Sequence, residues 1–267
     1  MCRLFAYFGN VEKNLYELLV DEKHSIIKQT WRKPYDSNNP RDHAINYDGY
    51  GVCAWIDDKV FLYKTPQPPT HDENLQVLKF ITSCRIMAHI RAVKPLTESP
   101  IHYYNCHPFI ANIGNIANIS DFDDIDDIDD INNTYAWMHN GNIENFHTCK
   151  YELLNYMSEY AFRCIKGNTD SEFMFGLFLS NLELGMLGAL LRSIEIMKNV
   201  CKGVCSCNII CSDGYTTIIT RYINTLEEPP SLYYCEEQDA LYVASEPIND
   251  NIWLQLPKNE YYVWSKN

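Results

Sequence analysis

Short apolar runs separated by polar and turn-forming residues divide the chain into strands, then helices, then strands again. Runs bounded by Gly, Pro, Asn or Asp predict strands, and longer mixed stretches predict helices. Before residue 112, the predicted elements are a strand at 4–8, a short helix at 14–20, a hairpin at 50–56 and 60–63, a helix at 72–81 and a strand at 84–91.

The second half of the chain groups its helices together. A strand at 135–138 precedes helices at 144–160, 170–182 and 185–200. Strands return at 208–212, 215–222, 232–234, 240–244, 252–256 and 261–264. This succession predicts one layered α+β domain over residues 1–267, rather than a repeat of βαβ units.

Residues 112–133 depart from this pattern. Between residues 121 and 131, aspartates and isoleucines recur with a period of three. Seven aspartates in this run carry about half of the formal net charge of −13. Low complexity and crowded like charges predict a solvated, mobile acidic insertion.

The charge balance and the cysteine content narrow the classes of function. Acidic residues number 35 against 22 basic ones, whereas binding to a phosphate backbone needs a basic face. We therefore expect no nucleic-acid partner, and no membrane partner because anionic surfaces repel this charge.

No apolar stretch approaches the ~20 residues that span a bilayer, and the N-terminus turns polar too early for a secretory signal. The odd count of 11 cysteines then fits free thiols in a reducing compartment, and we expect a cytoplasmic protein.

Cys2 is the first candidate for chemistry. A small second residue normally allows Met1 to be removed, which would leave Cys2 with a free α-amino group. An α-amine titrates at about 7.7–8.0, so it can take a proton from the thiol near neutral pH. Cys2 would then supply both the nucleophile and the general base. The alternative is an ordinary buried strand cysteine.

Three other segments carry groups that suit one small ligand. Asn140 and Gly141 follow a predicted strand and can point two N–H donors at one oxygen, although a plain Asn-Gly turn is the alternative. Arg91 ends a predicted strand and suits bidentate binding of a carboxylate, against the alternative of a surface salt bridge. Asp170 opens a helix, where it can accept an ammonium group, or where it or Thr169 caps the helix.

Together these groups fit an amino acid acylated through its side chain. Arg91 and Asp170 would hold the zwitterionic end, and Cys2 would attack the carbonyl at the other end. Glutamine and γ-glutamyl peptides have that shape.

Nine segments, in order along the chain, resemble class II glutamine amidotransferase domains, which use an N-terminal nucleophile. Each segment alone is weak, but nine in order are specific, and they cover nearly the whole chain except residues 112–133. They are Met1-Cys-Arg-Leu4, Asn46-Tyr-Asp-Gly-Tyr-Gly51, Ala88-His-Ile-Arg-Ala92, Asn105-Cys-His-Pro-Phe109, Met138-His-Asn-Gly141, Gly167-Asn-Thr-Asp-Ser-Glu172, Ser212-Asp-Gly214, Arg221-Tyr222 and Val243-Ala-Ser-Glu-Pro247.

The resemblance implies a fold and a catalytic centre. The fold is a four-layer αββα sandwich of the N-terminal nucleophile hydrolase type, with two stacked antiparallel sheets. Cys2 would be the nucleophile and its freed amine the base, while Asn140 and Gly141 would form the oxyanion hole. Asp48 and Gly49 would shape the loop near the nucleophile.

The resemblance also implies how the substrate is held. Arg91 would bind the α-carboxylate and Asp170 the α-ammonium of the glutamyl group, with His107 and His139 as supporting substrate-binding residues. No cofactor or metal is implied. Val93-Lys94 stands where relatives have a small residue and then Thr, so the substrate contacts of that loop differ from the family pattern.

Within the family, the resemblance is to the stand-alone branch that cleaves γ-glutamyl amides, which includes the amidotransferase-like subunit of the fungal glutathione-degradation complex. Residues 24–29 and 140–146 are similar to that subunit in particular. This implies a hydrolase acting on glutathione or a related γ-glutamyl compound, with a metallopeptidase-like protein as a partner. Two alternatives stay open: a glutaminase subunit that supplies ammonia to a separate synthase, and an inactive protein used for binding or assembly.

Four clustered cysteines raise the question of a metal. Cys201, Cys205, Cys207 and Cys211 lie within eleven residues, and four thiolates can hold zinc. Their spacing is not usual for structural zinc, and Cys207 and Cys211 fall in phase on a predicted strand. We therefore expect free strand thiols and no metal.

Overall fold

Two antiparallel sheets form the centre of the fold in the computed structural model, which describes residues 2–31, 46–93, 100–113, 133–237 and 239–266. Every predicted strand is present, and most of them are longer than predicted. The strands are β1 (Arg3–Asn14), β2 (Tyr50–Ile56), β3 (Lys59–Thr65), β4 (Thr82–Ile90), β5 (Phe109–Asn112), β6 (Thr134–Ile143), β7 (Cys205–Ser212), β8 (Thr216–Ile223), β9 (Tyr233–Glu237), β10 (Ala240–Ala244), β11 (Leu254–Gln255) and β12 (Glu260–Ser265).

The strand order places the N-terminus inside a sheet rather than at its edge. The first sheet runs β11-β9-β10-β1-β4-β2-β3, and the second runs β12-β8-β7-β6-β5. Strand β1 pairs with β10 on one side and with β4 on the other, where Arg3 lies opposite Ile90. The first residues of the chain are therefore held between two hydrogen-bonded neighbours.

Alternating side chains on β1 explain why the two sheets stack. Leu4, Ala6 and Phe8 belong to a core between the sheets, whereas Phe5 and Tyr7 belong to a second core on the outer face. The second sheet contributes its own alternate residues to the core between the sheets, namely Ala136, Met138, Ile210 and Ile219.

Helices cover the outer face of the second sheet. They are α1 (Phe146–Leu153), α2 (Glu159–Cys164), α3 (Asp170–Leu179) and α4 (Gly185–Cys201). Helix α3 is buried along almost its whole length, and its Phe178 ring lies 5.3 Å from the ring of Trp137 on β6. In the described part of the chain no single helix is long and apolar enough to cross a membrane. Residues 170–179 and 182–201 meet that test only as a pair, bent by 62°.

The helix predicted at 144–160 is interrupted. Ser158 has extended backbone angles, and its side chain accepts a hydrogen bond from the N–H of Ala161, so a new helix begins there. A 3-10 turn at Leu154–Tyr156 ends the preceding helix. Apolar periodicity continues through such a break, which is why the sequence pattern did not show it.

Short helical turns, rather than long helices, cover the outer face of the first sheet. A π-helical turn at Glu17–Asp21 replaces the helix predicted at 14–20, because β1 extends to Asn14. The helix predicted at 72–81 is a 3-10 helix at Glu73–Phe80, capped by Asp72 as expected. Helices, two sheets and helical turns together confirm the predicted α+β sandwich.

Only the ends of the acidic insertion are described. Asn112 pairs with Thr134, and the N–H of Ile113 donates to the carbonyl of Asn133 over 2.9 Å. The segment therefore leaves and rejoins the fold at neighbouring points of the β5–β6 pair. The prediction made for residues 114–132 lies outside the described residues.

Candidate active site

Strand alternation places three of the predicted site residues on the inner faces of the two sheets. Cys2 lies two residues before the inward-facing Leu4, so its side chain is on the same face of the first sheet. By the same alternation, Arg91 lies four residues after the inward-facing Met87 of β4, so its side chain is also on the inner face. On the second sheet, Asn140 lies two residues after the inward-facing Met138. In each sheet, the inward-facing row thus continues from apolar core residues into polar side chains.

Cys2 is partly buried next to the start of the loop that follows β4. The N–H of Ala92 donates to Cys2 Sγ over 3.4 Å, and Sγ lies 3.7 Å from the carbonyl oxygen of the same residue. The thiol is therefore fixed in position and still reachable from solvent. Loss of Met1 stays a prediction, because Met1 is outside the described residues.

Arg91 is buried, which excludes the alternative of a surface salt bridge. Its Nη1 donates to the carbonyl of Pro100 over 3.1 Å, and its backbone N–H donates to the carbonyl of Gly49 over 2.8 Å. Gly49 has a φ of +107°, and a Cβ atom there would lie 2.7 Å from Cys106 Sγ, so the turn requires glycine. Asp48 accepts a hydrogen bond from the N–H of Val93, and these contacts shape the loop beside Cys2.

Asn140 carries a buried amide group whose nitrogen lacks a partner. The residue is only 3% exposed, and Nδ2 makes no hydrogen bond within the residues that the structure describes. Buried donors are nearly always paired in proteins, so this nitrogen is available to an acceptor supplied from outside the chain. The segment lies inside the continuous strand β6, and the alternative interpretation as a turn is therefore wrong.

Gly141 is required by close packing within the second sheet. A Cβ atom at this position would lie 1.8 Å from the carbonyl oxygen of Ser206 and 2.4 Å from Nε2 of His139. The strand can therefore approach its neighbour only if residue 141 has no side chain.

His139 is buried beneath Gly141 and is fully occupied by hydrogen bonds. Nε2 lies 3.1 Å from the carbonyl oxygen of Ser206, and Nδ1 lies 2.8 Å from Ser171 Oγ. Because a carbonyl only accepts, Nε2 carries the proton and Nδ1 accepts from Ser171. Burial lowers the pKa of His139, and the negative charge of Asp170 partly opposes this. Its ring is held by these two hydrogen bonds, and its supporting role in substrate binding stays a prediction.

Asp170 is the first residue of α3, and Thr169 is the cap. Thr169 Oγ1 accepts from the N–H of Glu172 over 3.2 Å. The Asp170 carboxylate accepts from the N–H groups of Ile143 and Ser171 over 2.9 and 2.8 Å. The carboxylate is thereby fixed between the end of β6 and the start of α3, and it remains partly exposed.

His89 and His107 form a buried pair that the sequence did not predict as a pair. Their ring centroids are 4.2 Å apart, and none of the four ring nitrogens has a hydrogen-bond partner in the part of the chain that is described. Burial, and then the positive charge of Arg91, lower the pKa of His89 to about 3. Burial also lowers the pKa of His107. Both rings are therefore neutral and carry no charge to the site at physiological pH.

The buried His89 predicts a loss of stability in acid. Its folded-state pKa of about 3 lies below the ordinary value of 6.5, so between these values the unfolded chain binds a proton that the folded chain does not. The free energy of unfolding should fall as the pH falls through this window, by up to about 1.4 kcal/mol per pH unit for this side chain. In urea denaturation at pH 7 and pH 5, His89→Gln should show a smaller difference than wild type.

The matched control for this prediction is His71→Gln, which changes an exposed histidine. It should show the same difference between the two pH values as wild type. A His89→Gln variant with the full wild-type pH dependence would contradict the assignment.

The clustered cysteines lie in the core between the helices and the second sheet. Cys201, Cys205, Cys207 and Cys211 are all buried, and Cys205 Sγ lies 3.5 Å from Cys207 Sγ. Burial raises the pKa of the Cys201 thiol to about 12. Over the residues described, no group of three or more His, Cys, Asp or Glu side chains is arranged to hold a metal ion.

Sequence reasoning missed one further residue at this site, Asn105. This residue is only 2% exposed and lies in the loop between β4 and β5. Its side chain makes hydrogen bonds to Pro100, near Arg91, and to Asn168, near Asp170. The segment Asn105-Cys-His-Pro-Phe109 had drawn attention only to its histidine. Hydrogen bonds between distant loops leave no periodic signal in a sequence.

Comparisons with known proteins agree with this architecture. The probable glutamine amidotransferase DUG3 of Saccharomyces cerevisiae is 28% identical over 314 residues, spanning 97% of this chain and 80% of the yeast protein. No protein-family model matches the chain.

Solved structures show the same fold. The glutamine aminotransferase class-II domain protein of Silicibacter pomeroyi aligns with a TM-score of 0.67 at 23% identity, over 98% of this chain and 94% of that one. The glutamine phosphoribosylpyrophosphate amidotransferase of B. subtilis aligns with a TM-score of 0.63 at 18% identity, over 98% of this chain and 47% of its own. The relative and the shared fold confirm the resemblance to class II glutamine amidotransferase domains.

Proposed function

We propose that this chain hydrolyses the γ-glutamyl amide bond of glutathione or a related γ-glutamyl compound, with Cys2 as the nucleophile. The observation that carries the proposal is that Cys2 on the first sheet and Asn140 on the second each continue the inward-facing row of their own strand beyond the apolar core that the two sheets share. A thiol and an unpaired amide donor there can act on the same carbonyl group.

The charged residues around this point define the glutamyl end of the substrate. Arg91 presents a guanidinium that is fixed by its bond to Pro100 and suits a carboxylate. Asp170 presents a fixed carboxylate that suits an ammonium group. A γ-glutamyl group carries both charges on its α-carbon, so the pair selects this group over a simple amide.

The proposed reaction has two halves. The α-amine of Cys2 takes the thiol proton, the thiolate forms a C–S bond to the γ-carbonyl carbon, and Nδ2–H of Asn140 and N–H of Gly141 stabilise the oxyanion. Its collapse breaks the C–N bond, and the leaving amine takes the proton from the α-ammonium group. Water then attacks the thioester, loses a proton to the α-amine, and releases glutamate while the thiol re-forms.

A second candidate function is a glutaminase subunit that passes ammonia to a separate synthase. The names of the relatives, which are glutamine amidotransferases, favour it. An inactive binding or assembly protein is disfavoured because every expected catalytic position holds the expected residue. Under the first function we also propose a cytoplasmic location. We further propose a metallopeptidase-like partner, because hydrolysis releases glutamate and leaves an amine product that another hydrolase can cleave.

One experiment tests the proposal and separates the two candidates. Intact-mass spectrometry should show loss of Met1 and one adduct at Cys2 after treatment with a glutamine-analogue electrophile. Turnover of glutathione should then exceed that of glutamine. Preference for glutamine, rising when a synthase is added, would favour the second candidate, and a retained Met1 would exclude the mechanism.

A further inference from the structure

Three consecutive backbone N–H groups just before α3 are held by side chains. The N–H groups of Lys166 and Gly167 each donate to the Glu172 carboxylate over 2.8 Å. The next N–H, of Asn168, donates to Asn105 Oδ1 over 3.1 Å. The loop that leads to Asp170 is therefore fixed from two directions, from its own helix and from Asn105.

The other end of the Asn105 amide reaches the Arg91 side of the site. Nδ2 of Asn105 donates to the carbonyl oxygen of Pro100 over 2.9 Å. The same oxygen accepts from Nη1 of Arg91 over 3.1 Å. One buried amide thus joins the surroundings of Arg91 to the loop that carries Asp170.

The loop at Gly167 packs tightly against the Asn105 amide. A Cβ atom on Gly167 would lie 2.4 Å from Asn105 Oδ1, so only glycine allows the loop to approach the amide. Asparagine is also the residue type the contact needs, since it offers an acceptor to one loop and a donor to the other.

We propose that Asn105 is a positioning residue that sets the spacing between Arg91 and Asp170, and so selects substrates with both an α-carboxylate and an α-ammonium group. The inference rests on the proposed function, because it assigns those two ligand groups to Arg91 and Asp170. Arg91 follows β4 of the first sheet and Asp170 opens a helix on the second. The two charges of the substrate sit on one carbon, so the two protein charges must keep a fixed separation.

The test compares two chromogenic substrates that differ by one charge. L-γ-Glutamyl-p-nitroanilide carries both α-groups, whereas glutaryl-p-nitroanilide lacks the ammonium. Loss of two hydrogen bonds in Asn105→Ala should raise KM for the γ-glutamyl substrate about tenfold with little change in kcat. KM for the glutaryl substrate should change less than about twofold, so preference for the ammonium falls about fivefold or more.

Asn105→Asp is the conservative variant. It keeps the acceptor for Asn168 and loses the donor to Pro100, so its preference should lie between wild type and Asn105→Ala. The matched control is Asn14→Ala, at the opposite end of β1 from Cys2. Asn14 also bridges segments, donating to the carbonyl of Lys79 and accepting from the N–H of Tyr16, both over 2.9 Å. This control should keep the wild-type preference.

The outcomes separate this inference from the proposed function. If both substrates lose activity by the same factor in Asn105→Ala, Asn105 has only a structural role and the inference is wrong. If that variant does not fold, as judged by thermal unfolding, an unchanged preference in Asn105→Asp overturns it. A wild-type protein that cleaves neither substrate and forms no Cys2 adduct instead overturns the proposed function, and the inference with it.

Discussion

Cys2→Ala should abolish hydrolysis of γ-glutamyl amides, with kcat falling by up to about a millionfold, as when other enzymes lose their nucleophile. The thiol is the group in the proposed reaction that bonds to the substrate carbon, and an alanine cannot form the thioester. Cys2→Ser should also be impaired, because a hydroxyl group is a weaker nucleophile than a thiol that is partly ionised near neutral pH. Arg91 and Asp170 are unchanged in both variants, so glutamate should still bind.

Three measurements check this result. Steady-state hydrolysis gives the loss of kcat, intact mass shows whether a thioester or an adduct forms, and calorimetry with glutamate shows that binding survives. Cys84→Ala is the matched control, since Cys84 is another partly buried, free cysteine of the first sheet that lies away from the site. A Cys2→Ala protein that turns over substrate at the wild-type rate would exclude the proposed chemistry.

Removal of the Asn140 amide should lower kcat by about 10²–10³-fold, the effect of losing one oxyanion-hole donor. Nδ2 of Asn140 is buried and makes no hydrogen bond within the described residues, so it is free to donate to an oxygen that gains charge in the transition state. KM should change little, because the interaction strengthens only as the charge develops. Asn140→Ala is the direct variant.

Asn142→Ala supplies the comparison for Asn140→Ala. Asn142 is the same residue type on the same strand, two positions further on, and it is exposed. Its substitution should leave kcat unchanged. A rise in KM at constant kcat for Asn140→Ala would show that the amide binds the ground state, and would remove it from the oxyanion hole.

Several features of this site follow from sequence because they depend on local order and alternation. Cys2 precedes an apolar strand by one position, and the strand's period of two places the thiol on the inner face. Arg91 and Asn140 lie at strand positions of the same parity as inner-core residues of their own sheets. Thr169 and Glu172 have the spacing of a helix start, and α3 begins between them.

Other features depend on contacts between segments that are distant in sequence. Asn105 and Asn168 are 63 residues apart, yet one hydrogen bond joins them. The contact between the His89 and His107 rings depends on how the loop before β5 lies against the first sheet. None of these contacts has a periodic signature, so sequence patterns alone do not reveal them.

The unpaired amide of Asn140 lowers the free energy of unfolding of this protein. A buried donor without an acceptor costs about 1–3 kcal/mol, and an apolar residue of similar shape would avoid that cost. Selection for heat resistance alone would therefore favour replacing Asn140, and would remove the proposed catalytic group together with the cost. Efforts to stabilise this protein should hold position 140 fixed and seek their gains elsewhere in the fold.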